Sequence, residues 1–144
     1  MRDAADSQNQ SARGAYLLSD PGRNRDLTLI ATGSEVSIAV EAAERLASDG
    51  LAVAVVSAPC FDIFAQQDAE YRAAILGSAP RIGIEAGVSF GWAEWLGSEA
   101  AFVGMTSFGA SGPAAELYRY FGITVDRVVV EGQRLIKERL EKEA

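Results

Sequence analysis

Apolar residues fall along this chain in two alternating rhythms. Short, almost unbroken apolar runs are separated by longer stretches in which apolar positions recur every three or four residues. Leu27-Thr28-Leu29-Ile30-Ala31 is the clearest run. Runs of this kind suit strands covered on both faces. The rhythm then changes at Thr32-Gly33-Ser34-Glu35. Val36, Ala39, Val40, Ala43 and Leu46 follow at helical spacing. Ser34 is expected to cap that helix, because its hydroxyl can accept an orphan backbone N–H. Glu35 then lies near the positive end of the helix dipole, and Gly50 ends the helix.

Leu51 to Val56 is a second apolar run, broken at Pro59. Gln66 to Leu76 reads as one helix closed by Gly77. Arg81-Ile82-Gly83-Ile84 is a third buried strand, stopped by Glu85-Ala86-Gly87, and Ala100 to Met105 a fourth. Tyr16-Leu17-Leu18 is a short strand before the turn Asp20-Pro21-Gly22. Gly91 to Leu96 predicts a short helix carrying Trp92 and Trp95. A glycine-rich loop, Ser107 to Pro113, precedes a helix with the stripe Ala114, Leu117, Tyr118 and Phe121. The last helix begins at Thr124 as N-cap, with Ile123 and Val128 placed as a hydrophobic staple. Val125, Val128, Val129, Leu135 and Ile136 should face inward, and the charged tail from Lys137 should end in solvent. Strands alternating with helices indicate a mostly parallel sheet covered on both faces.

With 144 residues there is room for one domain, read as residues 15–144 behind a polar linker over 1–14. Acidic residues outnumber basic ones, 20 to 13. The resulting negative surface repels phosphate backbones, so nucleic acid is an unlikely partner in charge terms. No run reaches the roughly 18 apolar residues that span a bilayer, and the polar N-terminus does not resemble a signal peptide. Cys60 is the sole cysteine, which excludes an internal disulfide and points to a cytoplasmic setting. There is no histidine. That removes the commonest general base and the usual nucleophile triads.

Chemistry in such a sheet belongs at the carboxyl ends of strands, where the winding reverses. Two stretches qualify. Thr32, Gly33, Ser34 and Glu35 could present bare N–H groups to an anion, although a tight turn with a capping serine explains them as well, and Glu35 opposes a phosphate. Glu85 and Ala86 end another strand, where the acid serves as a general base or as an anchor for a loop. Trp92, Trp95 and Phe108 suit the core or a surface against a partner. Cys60 reads as buried filler.

Four stretches, in order, resemble the C-terminal domain of transketolase. Leu29-Ile30-Ala31-Thr32-Gly33-Ser34-Glu35-Val36 is similar to its opening. Val55-Val56-Ser57-Ala58-Pro59-Cys60, with Phe61-Asp62-Ile63-Phe64 and Gln67-Asp68-Ala69-Glu70-Tyr71-Arg72, is similar to its next strand and helix. Ile84-Glu85-Ala86-Gly87 resembles its third strand end. Gly104 to Pro113 and Phe121 to Val125 resemble its final loop and last helix start. The likeness covers about residues 15–136.

The resemblance implies a three-layer α/β/α fold. Its five-stranded sheet would be mostly parallel, in the order 1-3-2-4-5, with an antiparallel edge strand around Tyr16 to Leu18. It implies a part of a thiamine-diphosphate-dependent ketol transferase of sugar phosphates, in the pentose phosphate pathway. Thiamine diphosphate and magnesium would be held in the full assembly, a homodimer, by N-terminal domains or by a partner subunit. The metal-binding Gly-Asp-Gly of that family is absent here. No catalytic residue, metal ligand or cofactor contact is therefore expected in this chain, whose role would be assembly and stability. The alternatives are a regulatory small-anion or nucleotide-binding domain using Thr32 to Glu35, and the same domain of a 2-oxo-acid dehydrogenase β subunit.

Overall fold

Five short strands find one another in a single sheet. They are β1 (Tyr16–Ser19), β2 (Leu27–Ala31), β3 (Val53–Ser57), β4 (Arg81–Val88) and β5 (Ala100–Met105), and their order is β1-β3-β2-β4-β5. The structure is a computed structural model that describes residues 14–59, 61–88, 93–96, 100–105 and 123–143. β2 pairs in parallel with β3 on one side and with β4 on the other, β4 pairs in parallel with β5, and β1 runs antiparallel to β3 at the edge. The expected order and the antiparallel edge strand are both present.

Alternation along β2 shows why the strand is apolar throughout. Leu27, Leu29 and Ala31 enter one core cluster and Ile30 enters the other. Val53 and Val55 of β3 join the first cluster, and Val56 the second. Helices α1 (Val36–Ser48) and α5 (Val125–Glu143) cover the first face through Ala39, Ala42, Leu46, Val128, Val129 and Leu135. Helices α2 (Phe61–Ala65), α3 (Ala69–Leu76) and α4 (Ala93–Leu96) cover the second through Phe64, Ile75, Leu76, Trp95 and Leu96. Each fully buried Leu or Ile adds on the order of 2 kcal/mol. Helix α5 comes close to the sheet because it carries Gly132 at the crossing. A Cβ there would lie 2.8 Å from Leu27 Cδ2 and 3.3 Å from Leu46 Cδ1.

Thr124 caps α5 as expected, accepting from Arg127 N–H at 3.2 Å, and the staple residues Ile123 and Val128 share the first cluster. The helix continues to Glu143, and Leu140 near its end is 62% exposed.

Other boundaries depart from expectation. Ser34 is not at a cap position. Gly33–Glu35 forms a 3-10 turn behind an extended Thr32, and the α-helix starts at Val36 without a side-chain capping bond. The helix read from Gln66 starts only at Ala69, as α3, because Asp68 takes its N-cap and accepts from Tyr71 N–H at 2.7 Å, and the separate helix α2 has already ended at Ala65. Strand β4 runs past Glu85 to Val88, with a register shift between those two residues. The loop from Ser107 to Pro113, the helix expected after it, and Cys60 lie outside the described residues.

Candidate functional site

The chain leaves β2 through α1 to reach β3 on one side, then crosses through α2 and α3 to β4 on the other. The winding therefore reverses beside β2, which makes the carboxyl ends of β2 and β4 the place for a crevice. Ala31 is paired with Ile84, so Thr32 and Glu85 leave the sheet side by side, and the 3-10 turn packs against β4. Of the expected site residues, Thr32, Gly33, Glu35 and Glu85 are thus brought together. Ala86 follows inside β4.

The chemistry of this crevice is acidic. Glu35 is 5% exposed. Its Oε2 lies 3.8 Å from the point that a Cβ on Gly33 would occupy. A buried carboxylate under the turn works against an anion at the same N–H groups. Half-buried Glu85 adds a second acid at the neighbouring strand end. The arrangement disfavours a phosphate at this turn.

Of the two readings for Trp95, core or partner surface, the structure places it in the core. It is 5% exposed and packs in the second core cluster. Its ring stacks on Phe61 at 5.3 Å with 9° between planes, and it meets Phe64 at 5.3 Å. Trp92 and Phe108 lie outside the described residues.

Arginines at the opposite end of the sheet were not singled out from sequence. Arg25, just ahead of β2, donates from Nη1 to Ile75 O at 2.8 Å and from Nη2 to Ala74 O at 3.1 Å. It thereby satisfies the last carbonyls of α3. Arg81 at the start of β4 donates to Trp95 O and Gly77 O, each at 2.8 Å. Burial lowers the pKa of Arg25, with Asp20 pulling it up, and burial followed by the charge of Arg25 lowers that of Arg81. The available sequence signal was an arginine two residues ahead of one apolar strand and another at the first position of a second.

Among the described residues no group of three Cys, Asp or Glu is placed to hold a metal ion, and the whole sequence lacks histidine. No helix among them is long and apolar enough to cross a membrane. The described residues therefore do not fit thiamine diphosphate with its divalent metal, since nothing in them would ligate that ion.

A family model described as the transketolase-like TK C-terminal domain matches residues 14–124. The transketolase of Sinorhizobium medicae is 56% identical over 138 residues, which are 95% of this chain and 20% of that protein. The solved transketolase from Leishmania mexicana superposes with a TM-score of 0.83 at 46% identity, over 90% of this chain and 19% of that one. A solved "split gene transketolase, inactive beta4 tetramer" shares the fold, with a TM-score of 0.69 at 21% identity over 88% of this chain and 43% of that one. The chain spans about a fifth of the length of the curated relatives it matches. A match along the sheet from before β1 to the cap of α5, together with these identities, shows that the chain belongs to the transketolase-like C-terminal domain family.

Proposed function

We propose that this chain is the C-terminal domain or subunit of a transketolase, a thiamine-diphosphate-dependent transferase that moves a two-carbon ketol unit between sugar phosphates. In this reading it contributes assembly and stability to the enzyme and catalyses nothing alone. The observation that carries the reading is coverage. Nearly the whole chain matches a transketolase, at high identity, while four-fifths of that relative has no counterpart here.

Two features agree with it. Among the described residues the crevice at Thr32 and Glu85 is acidic, with Glu35 buried beneath the turn. The described residues also supply no ligand set for the metal, so cofactor and magnesium would belong to the N-terminal domains or a partner subunit. The full assembly would be a cytoplasmic homodimer in the pentose phosphate pathway, with residues 1–14 as the linker ahead of the domain. The three reported proteins carry the name transketolase and the family model is described as transketolase-like, which favours this reading over a 2-oxo-acid dehydrogenase subunit.

The test is a ketol-transfer assay with thiamine diphosphate and magnesium, on the chain alone and then mixed with a chain supplying the first two domains. Activity only in the mixture is the expected result. Turnover by this chain alone would overturn the reading.

A further inference from the structure

The amino ends of the strands, remote from the Thr32–Glu85 crevice, carry a cleft of about 480 Å³. That size is within the roughly 300–1,000 Å³ of small-molecule sites. Three guanidinium groups line it, from Arg23, Arg25 and Arg139, with Asn24, Ser78 and Asp20 beside them. In a chain of net charge −7 this local excess of cations is a departure from the average.

Backbone carbonyls hold each of the arginines in place. Arg23 donates from Nη2 to Gly50 O at 2.7 Å, Arg25 to Ala74 O and Ile75 O, and Arg139 from Nη1 to Ser78 O at 3.3 Å. Neither Arg23 nor Arg25 forms an ion pair among the described residues. A guanidinium has five N–H donors. Arg25 uses three of them, on Ile75, Ala74 and Thr28 Oγ1. Arg23 uses one. Fixed forks with unused donors are suited to a tetrahedral oxyanion, which accepts from several at once. Asp20 is the one acid in the lining. Its Oδ1 accepts from Gly22 N–H at 3.0 Å, which ties it to its own turn. The lining remains positive with Asp20 counted. Burial lowers the pKa of Arg25, and Asp20 only partly opposes that shift.

We propose that this cleft binds the phosphate group of a small phosphate-bearing molecule between Arg23, Arg25 and Arg139. The site is independent of the ketol-transferase reading, and the two tests fail separately.

The probes are inorganic phosphate and glycerol 3-phosphate, titrated into the isotope-labelled 144-residue chain and followed by amide shifts and calorimetry. Saturable binding with shifts at Asn24, Ser78 and Ala79 is expected, weakened by added salt. Arg23→Gln and Arg139→Gln should each weaken it about fivefold, while Arg134→Gln, outside the cleft, should leave it unchanged. Tighter binding of the ester marks an organic phosphate as the ligand, and tighter binding of the free ion marks phosphate itself. Both support the cleft. The absence of saturation at about 10 mM, equal weakening by Arg134→Gln, or shifts confined to Thr32–Glu35 would overturn it. Arg25 is left intact in these variants because its removal exposes the end of α3.

Discussion

Replacing Gly77 by alanine should destabilise the domain through two separable effects. Gly77 follows α3 with φ 64° and ψ −172°, a region that is essentially open to glycine alone and costs other residues about 1–3 kcal/mol. A Cβ there would also lie 2.7 Å from Arg25 Nη1. That nitrogen belongs to the guanidinium bound to Ile75 O and Ala74 O, so it cannot withdraw without releasing the carbonyls of α3. Partial loss of those bonds costs about 1–2 kcal/mol. Against this, alanine narrows the unfolded ensemble by about 0.4–1 kcal/mol. The balance is a loss of roughly 3 kcal/mol. With a urea slope of about 2 kcal/mol per molar, the midpoint should fall by about 1.5 M. Urea unfolding followed by far-ultraviolet circular dichroism reads this directly. In an Arg25→Ala background the same change should cost only the backbone part, about 1–2 kcal/mol. A midpoint within about 0.3 M of the parent would refute the strain argument. An undiminished cost beside Arg25→Ala would refute the clash.

Asp26→Ala should cost about 1–3 kcal/mol in the same unfolding assay, because Asp26 Oδ2 accepts from the N–H of buried Ala52 at 2.8 Å and no water reaches that donor easily. Tyr71→Phe removes a 2.8 Å bond from the hydroxyl to Ala15 O, which ties α3 to the lead-in of β1; a loss of about 1 kcal/mol is expected, and no change would mean that the contact is incidental. Trp95→Ala empties the stack on Phe61 and Phe64, and its loss should be about 3–5 kcal/mol, with a near-neutral result showing that the second core can collapse into the gap.

The strands were legible because a sheet buried on both faces demands nearly continuous apolar residues, and Leu27–Ala31 supplies four in five positions, with Thr28 the exception. Their order followed from the resemblance, since periodicity carries no information on which strand neighbours which. The Thr124 cap was readable because it is local. The Ser34 cap was misread for a tertiary reason: the chain first tightens into a 3-10 turn against β4, and the serine falls inside that turn. The start of α3 was read three residues early because the apolar spacing does not mark the cap, which Asp68 supplies by accepting from Tyr71 N–H. Gly132 was not singled out in the sequence, and only the packing of α5 over Leu27 and Leu46 gives it a purpose. The acidic crevice was half legible, with Glu35 and Glu85 named but the burial of Glu35 unseen. The arginine cleft was not legible, because Arg23, Arg25 and Arg139 meet only after the sheet has closed.

The central place of β2 has a consequence for how the protein is made. Within this domain β2 is the first largely apolar, fully buried strand to be synthesised, yet Leu27 waits for Val53 on one edge and Thr28 waits for Arg81 on the other. At usual rates of synthesis the second edge stays open for roughly 3–10 s after the first residues of β2 appear. During that interval a sticky, unpaired template is presented to any neighbouring nascent chain. Crowded translation, rather than heat or denaturant, is therefore the condition under which this domain is most exposed to misassembly.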